Sequence, residues 1–418
     1  MVEPNQNSRS QLQQSGRADG LPPIPAQTTS SNFEAYGKFT SIDHKPFSVR
    51  VMRRAVTESF DVISAAMVFF AKKLGWFPRV EPYIGYGTGS YSRLICRTLL
   101  APAKRSAGLL VRGIRAACLV PAARTKVRIN IDGVPLQTVQ VGDSETFEIP
   151  DSKQLKSSEY AISDESGYLD LVAMRELKPG RHDVSYTVGD RAPVHSTLYT
   201  IARDAKVGII SDVDDTIMVT QVPTFWRAAY NTLLLNPRKR VSVPSMSVLY
   251  SKLHEMFPAA PFFYLSTSPW NLESSIRHFI EYHGFPSGPL LLRDLDPRPV
   301  TFIPSGVEHK LEFIEQLMAD FPDMKFILIG DDGQRDPTTY ATISKRHPGR
   351  VIAIGIRQLR PGEAGSYLQK ITGMTTTQPA PSANVPVFYG TTGVNLIHTM
   401  LPYLRNVFSK KRRYRLLT

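Results

Sequence analysis

At 418 residues the chain has room for two domains plus tails, taking roughly 150 residues per domain, and 42% hydrophobic content is ordinary for packed cores. A formal net charge of +13 draws it toward anionic partners, nucleic acid or an anionic bilayer, without choosing between them. Two cysteines, Cys96 and Cys118, exclude a disulfide framework and make a cysteine-built zinc site implausible.

Residues 1–50 begin "MVEPNQNSRSQLQQSG", rich in Gln, Ser, Asn and Pro and without periodic apolar positions; disorder is expected. The start lacks a positive segment followed by an apolar core, so no signal peptide is read there. Residues 51–92 form a helical segment and connector. Its most apolar run, "FDVISAAMVFFAKKLGWF" (60–77), is broken by Asp61, Lys72 and Lys73. A spanning helix needs about 20 mostly apolar residues, so an amphipathic or core helix is predicted. A cytoplasmic protein, soluble or peripheral at a membrane, is the resulting expectation.

Residues 93–203 turn to short alternating runs: "RLICRTLL", "KVRINID", "LQTVQV", "ETFEI", "YLDLVAM", "HDVSYTV" and "STLYTI". Turn signals "IDG", "DESG" and "KPG" separate them. Seven strands at that spacing predict a β-sandwich of immunoglobulin type without its cysteine pair. A basic amphipathic insertion, "KRSAGLLVRGIRAACLV" (104–120), interrupts the series.

From 204 to 372 apolar runs "VGII", "FFYL", "FILI" and "VIAIGI" alternate with helical periodicity, as in "MSVLYSKLHEMF". Alternation of this kind predicts a parallel sheet covered on both faces. Residues 373–418 read as a Thr/Pro linker, a short helix and the basic end "KKRRYR".

In such sheets ligands gather at the carboxyl ends of the strands. There "VGII" leads into Asp212, Asp214, Asp215 and Thr216, "FFYL" into Ser266, Thr267 and Ser268, and "FILIG" into Asp331, Asp332 and Asp336. Crowded carboxylates resist desolvation unless a cation offsets them. An EF-hand reading fails, because its required glycine and glutamate fall on Ile217 and Pro223. Magnesium, which takes a few carboxylates and leaves room for phosphate oxygens, fits better. An aspartate facing a metal-bound phosphate can then attack phosphorus. Ser268 as N-cap and Pro269 as first helical residue would aim helix N–H groups at the same rim. Lys310, expected in or just before the first turn of "EHKLEFIEQLMADF", would neutralise phosphate at a position otherwise unfavourable for a cation.

The ordered set "DVDDT", Ser266, Lys310 and "GDDGQRD" resembles the four motifs of the haloacid dehalogenase superfamily. "SDVDDTI", "YLSTSPWNL", "HKLEFIEQL" and "ILIGDDGQRDPTTY" resemble, within it, the actin-patch phosphatidate phosphatase family. The resemblance covers roughly 80–365. It implies an α/β fold, a Rossmann-like haloacid dehalogenase domain preceded by an immunoglobulin-like sandwich. It further implies Asp212 as nucleophile and Asp214 as general acid/base. Thr216, Ser266, Thr267 and Lys310 would hold phosphate; Asp212, Asp214, Asp331, Asp332 and Asp336 would serve Mg2+. The implied substrate is phosphatidate, cleaved to diacylglycerol and phosphate.

Several residues keep two readings. Asp215 is either a ligand or a neighbour turned away from the metal. Asp336 is an N-cap before Pro337, metal support, or both; Asp332 ligates or only shapes the surroundings of the ligands. Segment 225–240 is an amphipathic core helix or a lid over acyl chains. Arg293 and Arg357 clamp a headgroup or sit in surface ion pairs. The basic tail is a solvated end or meets anionic lipid, and nucleic acid is the less favoured partner. Against the lipid phosphatase stand two alternatives: a phosphatase of soluble or nucleotide esters, and a non-catalytic membrane-docking adaptor.

Overall fold

The computed structural model describes residues 62, 65–102, 120–122, 124–141, 147–148, 160–163, 167–219, 240–293, 306–333, 335–359 and 385–415. The N-terminal tail, the insertion at 104–119 and the segment 225–239 lie outside the described residues.

A helical stretch over 65–73 precedes a sheet of ten strands, β1 (Phe77–Pro82), β2 (Gly85–Thr88), β3 (Ser92–Ala101), β4 (Thr125–Ile131), β5 (Val134–Val141), β6 (Phe147–Glu148), β7 (Tyr160–Ser163), β8 (Tyr168–Ala173), β9 (Gly180–Val188) and β10 (Val194–Ile201). The order is β5-β4-β9-β10-β2-β3-β8-β7-β6, with β1 beside β3. All described pairings are antiparallel except that of β10 with β2. The alternation of β4, "BeBeBiB", puts Val127, Ile129 and Ile131 inside. They pack with Val80, Leu94, Cys96, Leu169, Val184, Tyr186 and Leu198 in one buried core.

This differs from the expectation in two ways. Hydrogen bonds link the strands into one sheet rather than two, and the connector at 77–88 supplies β1 and β2. The Gly/Tyr-rich composition hid β2. Gly87 is there because a Cβ would lie 2.1 Å from the carbonyl oxygen of Tyr91 across the hairpin.

The second unit is a six-stranded parallel sheet of β11 (Val207–Asp212), β12 (Phe262–Pro269), β13 (Leu290–Arg293), β14 (Lys325–Asp331), β15 (Val351–Arg357) and β16 (Val387–Gly390). Its order, β13-β12-β11-β14-β15-β16, reverses direction between β11 and β14. Among the described residues five helices cover it: α1 (Met246–Met256), α2 (Glu273–Tyr282), α3 (Gly306–Asp320), α4 (Asp336–Arg346) and α5 (Gly393–Arg415). One face packs on α1, α2 and α5 through Leu249, Leu253, Ile276, Phe279, Leu396 and Met400. The other packs on α3 and α4 through Ile314, Leu317, Tyr340 and Ile343. Because both faces are covered, β11 and β14 read as continuous apolar runs. Residues 385–415, expected as linker and tail, complete this sheet: β16 pairs with β15, and Leu396, Met400, Leu401 and Leu404 of α5 are buried.

The two units share an interface. Trp270 stacks on Tyr83 at 4.5 Å between ring centroids, and Tyr86 meets Phe263 edge-on at 5.5 Å. Beneath the rings lies a buried polar network. Arg93 Nε donates to Asp170 Oδ1 at 2.9 Å, the Tyr86 hydroxyl to Asp320 Oδ2 at 2.9 Å, and Gln316 to Asp320 Oδ1 at 2.7 Å. Burial holds the Asp320 carboxyl above its ordinary range, against Arg93 and its hydrogen-bond donors. Tyr86→Phe removes one donor from that buried acid and should cost about 1–3 kcal/mol. Urea unfolding should show a lower midpoint at an unchanged slope; an unchanged midpoint would mean the network does not join the units.

Candidate active site

The strand order reverses between β11 and β14, and the carboxyl rim at such a reversal is the place these sheets offer a ligand. Asp212 ends β11 and Asp331 ends β14, so the two strands deliver their carboxylates side by side. Asp336, the first residue of α4, completes the cluster: one oxygen from each of Asp212, Asp331 and Asp336 lies within 4.8 Å of the others. Gly330 makes room for it, since a Cβ there would stand 2.3 Å from Asp336 Oδ2. All three side chains are buried.

Lys310 reaches into the cluster from α3. Its Nζ lies 2.7 Å from Asp212 Oδ1 and also hydrogen-bonds Asp336 Oδ1. The helix begins at Gly306, so Lys310 stands past the first turn rather than in or before it. Burial opposes its charge, but Asp212, Asp336 and Asp331 together raise its pKa above the usual lysine value. Burial pushes the Asp212 carboxyl up to about 8; Lys310 opposes this, while Asp336 and Asp214 add to it. Asp331 is raised well above its ordinary value by burial and by Asp336 and Asp212.

The turn after Asp212 places the next residues. Ile217 and Met218 both donate N–H bonds to the Val213 carbonyl, at 3.1 and 3.2 Å. Asp215 takes φ +56, a left-handed conformation that aspartate tolerates better than most residues. Its carbonyl accepts a bond from Arg357 Nη1 at 2.6 Å. Thr216 Oγ1 donates to Asp212 Oδ2 at 2.9 Å. The chain then pairs with 241–243, through Val219 N–H to Val241 O at 2.9 Å and Val243 N–H to Ile217 O at 2.9 Å.

Asp214 is not in the three-carboxylate group. Its Oδ2 accepts from Ser266 Oγ at 2.7 Å and Ser268 Oγ at 3.1 Å. A register shift between Leu265 and Pro269 aims these hydroxyls inward, and Ser268 N–H closes on Ser266 Oγ at 2.9 Å. Thr267 is half-buried on the same bulge. Asp332 turns away as well: its Oδ1 accepts the Leu359 N–H at 2.8 Å.

Three sequence expectations change. Ser268 does not cap a helix; a 3₁₀ turn, Trp270–Leu272, intervenes and α2 starts at Glu273, because Trp270 is held against Tyr83. Asp336 is no N-cap, since Arg335 occupies that position and Asp336 faces Lys310. Arg357 is not in a surface ion pair: at the carboxyl end of β15 it is 1% exposed and donates to the Asp215 carbonyl. The side chain of Arg293 lies outside the described residues. Tyr250, within the periodic run "MSVLYSKLHEMF", also reaches the site. Its hydroxyl meets Ser211 Oγ at 2.5 Å, directly behind the Asp212 backbone. The helical spacing of "MSVLYSKL" assigned it to the core and carried no sign of that bond.

Residues 207–358 match the family described as "Phosphatidate phosphatase APP1, catalytic domain". This segment resembles an App1 catalytic domain. Over 206 residues the chain is 28% identical to phosphatidate phosphatase APP1 of Saccharomyces cerevisiae, a span of 48% of this chain and 35% of that protein. An uncharacterized protein of Schizosaccharomyces pombe is 27% identical over 174 residues, 41% of this chain and 28% of the relative. The chain thus covers about a third of the length of either relative. Among solved structures, Dpr11 IG1 bound to DIP-gamma overlaps 33% of this chain and 61% of its own at 9% identity, with a TM-score of 0.17, too slight to carry an argument.

The acid cluster of the App1-like domain has a donor set suited to a hard divalent cation. Three buried carboxylates against one ammonium leave a formal excess of two negative charges (three minus one), which one such ion would balance. A carboxyl whose folded pKa exceeds its unfolded value binds its proton more tightly when folded. Metal-free protein should therefore lose stability as pH rises from about 4 to about 8. A divalent cation would bind the deprotonated cluster, so any rise in Tm on adding magnesium should be larger at the upper end of that window than at the lower. A magnesium shift independent of pH would contradict the assignment of the cluster.

Proposed function

We propose that this chain is a magnesium-dependent phosphatidate phosphatase of the haloacid dehalogenase superfamily. On this reading the parallel unit is its Rossmann-like catalytic core, and the single ten-stranded sheet takes the place of the expected immunoglobulin-like sandwich. One observation carries the proposal: Asp212, Asp331 and Asp336 converge with Lys310 at the rim of a segment matching the APP1 catalytic family.

Asp212 attacks the phosphorus of the lipid phosphate, forming an aspartyl phosphate as the bond from phosphorus to the glycerol oxygen breaks. Asp214, steadied by Ser266 and Ser268, gives its proton to the departing diacylglycerol oxygen. It then takes a proton from the water that attacks the phosphoryl group, releasing phosphate and restoring Asp212. Lys310 keeps positive charge beside the group in transfer, and Thr216 fixes the Asp212 carboxylate that faces it. Asp212, Asp331 and Asp336 would hold magnesium, whose charge draws electron density from the phosphoryl oxygens.

The test is phosphate release from phosphatidate in mixed micelles beside soluble monoesters and nucleotides. The proposal expects release chiefly from phosphatidate, with chelator abolishing it. Preference for soluble esters would select the soluble-substrate phosphatase, and release from no ester would leave the adaptor. Ser268→Ala should lower turnover by about 10-fold, by loosening Asp214, with little change in KM. An unchanged turnover would remove the serine from the account.

A further inference from the structure

The helical stretch at 65–73 has an apolar face that nothing among the described residues covers. Ala71 is buried and Met67, Val68 and Trp76 pack with it against Leu100, Val120 and Ala122. Around the rest of the helix, Val62 is 69% exposed, Phe69 54%, Phe70 61% and Leu74 72%. Scattered exposed apolar residues need no explanation, but two adjacent phenylalanines flanked by Val62 and Leu74 on one helix form a patch. Lys72 and Lys73 lie within it, both exposed, with Lys73 Nζ 4.8 Å above the Phe69 ring.

The topology sets this patch at the catalytic end of the molecule. Tyr86 and Arg93 meet Phe321 and Asp320, just before Lys325 opens β14, at the amino edge of the parallel sheet. Two residues along β3, Ile95 shares a cluster with Tyr83 and with Trp270, which follows the carboxyl end of β12. β3 thus climbs from the amino edge toward the rim. From Ile95 to Ala101 it advances roughly another 20 Å at about 3.3 Å per residue. Phe77 pairs with Ala101, so the helix before β1 sits beyond that upper end. α5 does the opposite. It follows β16 directly, starts at the rim with Gly393 N–H on Pro244 O at 3.0 Å, and carries the basic end toward the amino edge.

We infer that the helical stretch at 65–73, with Leu74 after it, is a membrane-docking element, inserting Phe69, Phe70 and Leu74 into an anionic bilayer while Lys72 and Lys73 meet lipid phosphates. The choice of a bilayer over a protein partner rests on the lipid reading of the active site. The charge pattern agrees: lysines amid phenylalanine and leucine suit the boundary between headgroups and acyl chains, where the stems lie along apolar surface and the ammonium groups stay in the polar layer. A helix docked there holds the catalytic rim toward the surface that carries the substrate. The basic end of α5, on the opposite side, is not part of this contact.

The full chain is sedimented with phosphatidylcholine vesicles containing a minority of phosphatidylserine, so that no substrate is present. Wild type should partition to the vesicles. The triple variant Phe69→Glu, Phe70→Glu and Leu74→Glu should lose at least about 10-fold in partitioning. The pair Lys72→Ala and Lys73→Ala should lose the salt-sensitive part alone. All three proteins should release phosphate equally from a short-chain phosphatidate kept monomeric in solution, which also shows that they fold. Equal sedimentation of wild type and triple variant would overturn the inference. So would wild type that stays free of vesicles, whether the patch is taken up by residues 1–61 or by a second copy, the latter seen as a dimer that the triple variant splits. Sedimentation as expected without phosphate release would retain the docking element and sink the catalytic reading instead.

Discussion

Asp212→Asn should leave the protein folded and lower phosphate release from phosphatidate by about 10³-fold or more. The amide keeps the shape of the side chain and can still accept from Thr216 Oγ1, 2.9 Å from Asp212 Oδ2. It cannot attack phosphorus, and no other carboxylate stands in its place. Asp331 and Asp336 belong to the cation cluster, while Asp214 is drawn aside by Ser266 and Ser268. Stability should move the other way. Burial and like charges oppose ionisation of Asp212, so metal-free Asp212→Asn should melt no lower than wild type near neutral pH. A variant both inactive and unfolded would point to a structural acid rather than a nucleophile.

Lys310→Met should harm both properties. The side chain is buried and is placed against Asp212 and Asp336, so its loss strips the cluster of its internal cation. Breaking a buried ion pair from one side typically costs about 3–5 kcal/mol. Metal-free Lys310→Met should therefore show a sharply lower urea midpoint, recovered in part by magnesium, which restores positive charge to the same carboxylates. Phosphate release should fall by about 10²-fold or more even with saturating magnesium, because the ammonium also faces the group in transfer. Unchanged stability in the metal-free state would show that the three acids are protonated without help from the lysine.

Much of this arrangement could be read from the chain. Runs such as "VGII" and "FILI" ending in aspartate announce buried parallel strands with acids at their carboxyl ends, and Asp212 and Asp331 end β11 and β14 accordingly. The expected conflict of Lys310 with the helix dipole does not arise, because Lys310 stands past the first turn, but its place beside the acids follows from its ion pairs. What escaped depends on contacts between distant segments. Whether Ser268 caps a helix or steadies Asp214 is decided by Trp270, which stacks on a ring 187 positions earlier (270 minus 83). β16 is four residues long after a Thr/Pro-rich stretch, too short to announce itself, and only its pairing with β15 makes it part of the sheet. β2 was hidden by glycines that the hairpin needs for close approach. The polar joint of Arg93, Asp170, Tyr86 and Asp320 likewise has no local signal, since each residue is ordinary where it stands.

The central claim is that Asp212 carries the phosphoryl group between lipid and water. A single-turnover reaction with radiolabelled phosphatidate, quenched in acid and digested, measures it directly. The account predicts transient label on the peptide containing Asp212, requiring magnesium and absent from Asp212→Asn. Phosphate released at the normal rate with no labelled peptide, or with label on another residue, would contradict it.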